Sequence, residues 1–278
     1  MATARTQTLA STDVPAAAKR TSPAPGDSYV QSFARGLEVI RSFSAQSPRQ
    51  TLSEVAGRTG LTRAGARRIL LTLQTLGYVE SDGKLFSLTP RMLDLGFAYL
   101  SSLPIWNLAE PVMQTLVGQV KESCSAAVLD GTDIVYVLRV PTQKIMSITL
   151  GVGSRLPAYC TSMGRMLLSA LPETELMQIL EISERTARTR FTVTGVEELV
   201  ARIAQVRQQG WAQIDQELEE GLVSMAAPVT DRAGNTVAAL NISGQANRSS
   251  AKVMRETMLS SLLDAAQTIS RMLSIQRG

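Results

Sequence analysis

The chain has 278 residues, room for two domains of about 100–150 residues each, and with 44% hydrophobic and 19% charged residues it is not a disordered chain. It contains no histidine, the commonest general base and zinc ligand, which excludes a Ser-His-Asp or Cys-His hydrolase and leaves any metal site to carboxylates alone. Its net charge of +4 is gathered toward one end: residues 29–100 carry 9 basic and 5 acidic side chains, whereas residues 101–278 carry 16 and 17. A small basic module joined to a larger, near-neutral body points to a polyanion-binding head.

Residues 1–28 are rich in Ala, Thr, Ser and Pro without hydrophobic period and are expected to be a flexible tail. They lack the apolar core of a secretory signal, and no run approaches the roughly 18 apolar residues of a membrane span, so a cytoplasmic address without a membrane partner is expected. Phe33, Leu37, Ile40 and Phe43 then fall on one helical stripe. In TLSEVAGRTGL (51–61), Thr51 followed by Glu54 reads as a capping box, Gly60 as a left-handed helix end, and Leu61 as the plug of a turn. Thr62 is the expected N-cap of a second helix, and two short helices around a glycine-containing turn form a helix-turn-helix. Ala66, Ile69, Leu70, Leu73 and Leu76 share its inner face. Arg63, Arg67 and Arg68 spread over the outer face near its start, the part of a recognition helix that reaches base edges. Gly65 weakens such a helix by about 1 kcal/mol, which a close backbone approach to DNA would compensate.

Asp82-Gly83 between two short runs predicts a hairpin with Val79 facing Phe86. Together these elements make a winged module over 29–89. Residues 90–103 predict a helix apolar nearly all round (Met92, Leu93, Leu95, Phe97, Tyr99, Leu100), buried against its copy in a dimer or within the chain. A helix over about 106–122, interrupted by Pro111, opens the second domain, 104–278. Strands are expected at 124–130, 133–140, 145–150, 211–217, 223–230 and 236–244, with turns at Gly131-Thr132 and Gly234-Asn235. Helices are expected from about Ser162, over 173–181 and 195–209, and over 249–275 with Val253, Leu259, Leu262, Ala266, Ile269 and Leu273 inward. Hairpin-linked strands with helices gathered at the ends describe an α+β domain.

A helix starting near Ser162 leaves the N–H groups of Thr161, Ser162, Met163 and Gly164 free, an anion site suited to a carboxylate. Tyr159 and Cys160 stand where they can wall an aromatic ring, while Arg155 either pairs with that carboxylate or is a surface arginine. The run Asp215, Glu217, Glu219, Glu220 reads as a solvated strand edge, with only Asp215 near the end of an apolar strand. Cys160 reads as a small buried filler, and the two cysteines are too few for a disulfide framework. No Gly-rich phosphate loop, nucleophile elbow or CxxC pair is present, so neither a catalytic residue nor a cofactor is expected.

The segments LSEVAGRTGLTRAGARRILLTLQTLGYV, LTPRMLDLG, LPAYCTSMGRMLLSAL, DQELEEGLVSMAAPV and VAALNISG, in this order, resemble the IclR family of bacterial transcriptional regulators over about 29–275. The LPAYCTSMGR wording is most similar to the subgroup that senses protocatechuate, p-hydroxybenzoate or β-ketoadipate. The resemblance implies a winged helix-turn-helix joined by a linker helix to an α+β, GAF-like effector domain with an antiparallel sheet. It implies a homodimer, pairing further into a tetramer, that binds double-stranded operator DNA and a small organic acid, and that meets RNA polymerase if it activates. Effector contacts are implied at Thr161, Ser162 and Met163, with Asp215, Ser224, Asn241 and Ser243 on the later strands. Some relatives carry a small residue or Cys at Ser224 and Asn241, so this pocket is expected to be more polar, and zinc-binding relatives use His ligands, so no metal is expected here. On DNA, Arg63 and Arg67 suit base edges, because Arg reads guanine bidentately; Arg68, and Lys84 from the wing, suit phosphates, with Thr62 at the helix entry. The rival reading is an enzyme acting on a small aromatic acid with an appended DNA-binding head.

Overall fold

The computed structural model describes residue 26 and residues 29–101, 105–142 and 150–276. Apart from Gly26, the expected tail over 1–28 lies outside these residues, as does all of the expected 145–150 strand except Leu150, which is not in a strand. Two compact units form the chain, the first ending at Ala109 and the second starting at Glu110.

The first unit holds α1 (Gln31–Arg41), β1 (Arg49–Thr51), α2 (Leu52–Thr59), α3 (Arg63–Thr75), β2 (Val79–Ser81) and β3 (Leu85–Leu88). Local chemistry sets its boundaries. The Thr51 hydroxyl accepts from the Glu54 N–H while the Glu54 carboxylate accepts from the Thr51 N–H at 2.7 Å, the expected capping box. Gly60 ends α2 in the left-handed region (φ +66°), and the Thr62 hydroxyl accepts from Gly65 N–H at 3.1 Å to start α3. The core gathers Val39, Phe43, Val55, Ala56, Ala66, Leu70, Leu73 and Val79. Only the C-terminal half of α1 reaches that core: Val39 is buried, whereas Phe33, expected inside, is 68% exposed and Leu37 is also exposed. Leu76, also expected inside, is the exposed C-cap of α3, because the chain turns away at Gly77 (φ +80°).

The hairpin forms in a different register from the expected one. Val79 pairs with Leu88, and Phe86 with Ser81. Asp82 is not a central turn residue: its carboxylate accepts from the N–H groups of Lys84 (3.1 Å) and Leu85 (2.8 Å), which moves the turn centre to Gly83-Lys84. Gly83 at φ +96° supplies the left-handed first position of a II′-type turn. The two-residue shift keeps every side chain on its original face. On the other side of β3, β1 pairs antiparallel and makes the wing three-stranded, in the order β1-β3-β2. Beyond the wing, a 3-10 turn (Pro90–Met92) leads into α4 (Leu93–Ser101), which buries none of its side chains; Leu93 is 74% and Phe97 69% exposed.

α5 (Ile105–Val120) leads into the second unit and runs unbroken through Pro111, contrary to the expected interruption. Asn107, whose carbonyl loses its partner there, is exposed, so water can satisfy it. The unit is built on one antiparallel sheet in the order β6-β5-β4-β9-β8-β7, formed by β4 (Ser123–Asp130), β5 (Asp133–Val140), β6 (Arg155–Pro157), β7 (Ala212–Asp215), β8 (Leu222–Thr230) and β9 (Thr236–Gln245). The two-residue period of the strands divides its faces. Ala127, Tyr136, Ala226 and Ala239 pack with α6 (Ser162–Ser169), α7 (Glu173–Ile182) and α8 (Val196–Gln209). α9 (Ala251–Gln276) packs on β8 and β9, burying Met254, Leu262, Ala266 and Ile269. The expected inward Val253 is exposed, and its neighbour Met254 is buried in its place. The fold class is α+β, as expected.

Candidate DNA-reading helix and effector pocket

Arg63, Arg67 and Arg68 are exposed along the first turns of α3, and among the described residues no carboxylate pairs with them. No acidic residue occupies that first turn. The positive end of the helix dipole therefore meets further positive charge, an arrangement that an external anion relieves. Thr62 spends its acceptor on the cap and keeps its hydroxyl proton for another partner. Gly65 has a cause within the chain: a Cβ there would lie 3.2 Å from the Thr62 hydroxyl oxygen, so the missing side chain fits the cap as well as an approaching backbone. Lys84 is exposed at the wing tip. Neighbouring Asp82 is held below the usual carboxylate range by the Leu85 and Lys84 N–H groups, and its charge is paired with Arg49.

In the second unit the chain passes from β6 through a 3-10 turn (Ala158–Cys160) to Thr161, whose hydroxyl caps α6 by accepting from Gly164 N–H at 3.2 Å. Of the four N–H groups expected to be free, Gly164 donates to the Thr161 hydroxyl and Thr161 to the Ala158 carbonyl at 3.5 Å, which leaves those of Ser162 and Met163. The hydroxyl of Ser162 beside them is buried without a hydrogen-bond partner. Thr161, Ser162 and Met163 line one pocket with Ser224, Asn241 and Ser243, six of the eight residues expected at the effector site. The pocket holds about 460 Å³ of atom-free space, part of it open to solvent. The other two expected residues stand away from it. Tyr159 is buried in the core and donates to the Thr186 carbonyl at 2.6 Å, because the 3-10 turn rotates Cys160, not Tyr159, to the pocket. Asp215 is exposed at the end of β7. Arg155 is occupied by Asp130 and Asp133 at 2.7 and 3.2 Å, which settles it as a surface arginine.

Sequence alternation missed Arg139. Among the described residues it is the single charged one lining the pocket, beside Tyr136, Leu150, Leu218 and Leu222. The pairing of β4 with β5 runs Ala127↔Tyr136 and then Ala126↔Leu138, so Val137 is an extra, bulged residue. The bulge reverses the alternation and turns Arg139 to the same face as Tyr136, where strict alternation sends it to the opposite one. Arg139 donates to the Ser125 hydroxyl at 3.2 Å, and Ser125 N–H donates to Asn241 Oδ1 at 3.0 Å, which leaves the Asn241 amide NH₂ for a ligand. Burial raises the Tyr136 phenol to about 12 and the Cys160 thiol to about 11, so both stay protonated near neutrality. Among the described residues the pocket thus offers one cation, several hydrogen-bond donors and apolar walls, and no carboxylate.

Glu217 departs from the solvated edge expected for the acidic run. It is buried, and its carboxylate accepts from the equally buried Arg165 at 2.6 Å. Among the described residues, no group of three or more His, Cys, Asp or Glu could hold a metal ion, and no helix is long and apolar enough to cross a membrane.

Family profiles match both units: the IclR helix-turn-helix domain over residues 32–83, and the bacterial transcriptional regulator IclR C-terminal domain over residues 97–271. The chain belongs to the IclR family. It is a helix-turn-helix transcriptional regulator, not an enzyme, and is close to regulators of aromatic catabolism. It is 43% identical over 258 residues to the Pca regulon regulatory protein of Pseudomonas putida, covering 92% of this chain and 89% of that one. Among solved IclR-like structures, a transcriptional regulator from Rhodococcus sp. RHA1 is 51% identical with a TM-score of 0.79, covering 88% of this chain and 98% of that one. An IclR homolog from Microbacterium hydrocarbonoxydans, solved with 4-hydroxybenzoate, shares the fold at 22% identity with a TM-score of 0.73, covering 87% of this chain and 99% of that one.

Proposed function

We propose that this regulator is a cytoplasmic homodimer that binds a palindromic operator and answers to a small aromatic acid of the protocatechuate or 4-hydroxybenzoate kind, controlling genes for its breakdown. One observation carries the ligand class: among the described residues the sole charged one in the pocket is Arg139, with no carboxylate in the lining and the partnerless hydroxyl of Ser162 beside it. A carboxylate supplies the missing charge, and Leu150, Leu218, Leu222 and Met163 suit the apolar faces of a ring. Thr161, Ser162, Ser224, Asn241 and Ser243, with Arg139 added, hold the polar atoms. The 4-hydroxybenzoate bound to the Microbacterium homolog and the name of the Pseudomonas relative support the class.

On DNA, the dimer sets two copies of α3 in successive major grooves about 34 Å apart. Arg63 and Arg67 read base edges, while Arg68, Lys84 and Thr62 hold phosphates. The uncovered apolar surface of α4 is buried against its copy, and effector binding shifts the population between two spacings of the heads. RNA polymerase is a further partner where the DNA-bound form activates. The test is a gel shift on the DNA upstream of the protein's own gene, with and without 4-hydroxybenzoate or protocatechuate. Wild type is expected to shift the DNA and to respond to at least one acid, and Arg67→Ala to lose about 1–3 kcal/mol of binding together with sequence preference. Unchanged affinity and preference in Arg67→Ala would refute the reading of α3.

A further inference from the structure

The segment Gln216–Gly221 between β7 and β8 brings Leu218 to the pocket, immediately before Leu222, which also lines it. Its shape is held by its own hydrogen bond from Gly221 N–H to Gln216 Oε1 at 2.9 Å and by several from outside. Gln216 has φ +61°, a left-handed conformation in a residue with a side chain. The Gln216 carbonyl accepts from the Thr189 hydroxyl at 2.7 Å, and the Glu217 carbonyl accepts from the Thr192 hydroxyl at 2.6 Å. The Glu217 carboxylate accepts from Val193 N–H at 3.1 Å and from Arg165 at 2.6 Å. On the other side, Arg165 Nε donates to the Tyr159 carbonyl at 3.0 Å, one residue before pocket-lining Cys160 and in the same connection as Thr161, Ser162 and Met163. One buried ion pair therefore joins the two walls of the pocket, the start of α6 and the Leu218 segment.

Resting on the acid-pocket reading above, we infer that Arg165 and Glu217 are positioning residues for the ligand: their buried ion pair fixes the distance between the anion-binding start of α6 and the apolar wall at Leu218. A role in stability alone does not account for the pair, because buried ion pairs are commonly replaced by apolar residues of similar volume with no loss of stability. An apolar pair, however, makes no hydrogen bond to the Tyr159 carbonyl or to Val193 N–H, and so cannot set where the two walls stop.

The experiment uses the full chain. Wild type, Glu217→Gln and the double variant Arg165→Met/Glu217→Leu are titrated calorimetrically with 4-hydroxybenzoate, protocatechuate and β-ketoadipate; each protein's ligand-free melting temperature and operator affinity are also measured. The double variant is expected to fold and to melt a few degrees below wild type, because the Tyr159 carbonyl and Val193 N–H lose their partners. It is expected to keep operator affinity without ligand, and to bind the acid at least about 10-fold more weakly, or about 1.4 kcal/mol. Glu217→Gln is expected to weaken acid binding in the same direction. A stably folded double variant that binds the acid as tightly as wild type overturns the inference, and one that melts well below wild type overturns it by assigning the pair to stability. A wild type that binds none of the three acids overturns the pocket reading and the inference with it.

Discussion

Gly164 concentrates the geometry of the α6 start in one atom. A Cβ at this position would lie 2.2 Å from the Ala158 carbonyl oxygen, 2.4 Å from the Ala158 Cα and 2.5 Å from the Thr161 hydroxyl oxygen. Two of these atoms are backbone of the 3-10 turn, so relief requires the turn to move away from α6 rather than a side chain to rotate. Gly164 is helical, so Gly164→Ala gains about 1 kcal/mol of helix propensity. Against that, overpacking of a tight core commonly costs about 1–3 kcal/mol and sometimes more. Three overlaps this deep, in a segment buried from Ala158 to Ser169, belong at the upper end. The expected net loss is about 2 kcal/mol, or roughly 4–8 °C in melting temperature at about 2–4 °C per kcal/mol. Gly118, helical within α5 and with nothing within 4 Å of its Cβ position, is the control: Gly118→Ala should gain about 0.5–1 kcal/mol. Urea and thermal unfolding of both variants measure the difference. A Gly164→Ala protein that melts at or above wild type would refute the steric account of this turn.

Arg139→Gln removes the only charge among the described residues of the pocket and should weaken 4-hydroxybenzoate about 10- to 100-fold, the worth of a charge-assisted hydrogen bond at about 1.5–3 kcal/mol. The neutral amide of the same acid should lose far less, and an unchanged acid-to-amide ratio in calorimetry rejects the role of Arg139. The Cys160 thiol, raised by burial from 9.0 to about 11, keeps its proton in the folded state after the unfolded chain has released it. Its contribution is therefore complete below pH 9.0 and is lost as pH rises through about 11. The urea midpoint should fall across that window, less steeply in Cys160→Ala; parallel profiles contradict this.

Helix starts were legible because their determinants lie within four residues. Thr51, Glu54, Gly60 and Thr62 act on neighbouring backbone groups, and each does what its spacing implies. The polar residues of α6, β8 and β9 that line one pocket were named from the family resemblance, and only the helix start at Ser162 was legible from the residues themselves. Non-local geometry was not legible. Arg139 faces the pocket because Val137 bulges, and alternation counted along one strand cannot register an extra residue that only its partner strand reveals. Glu217 looked solvated because Arg165, which neutralises it, is 52 residues away. Asp82-Gly83 marked the hairpin but not its register, since the Asp82 side chain acts as a backbone acceptor and displaces the turn by one residue.

α4 has a consequence for how much protein a cell must hold. Helices shorter than about 12–15 residues are marginal in water without tertiary support, and this one has 9 residues and buries no side chain. Its order is therefore supplied by whatever covers Leu93, Leu95, Phe97 and Tyr99. If a second copy does so, the link between head and sensor is a product of mass action. Dilution would then dissolve the connecting rod before either domain unfolds, and ligand response would require a minimum concentration of regulator as well as of acid.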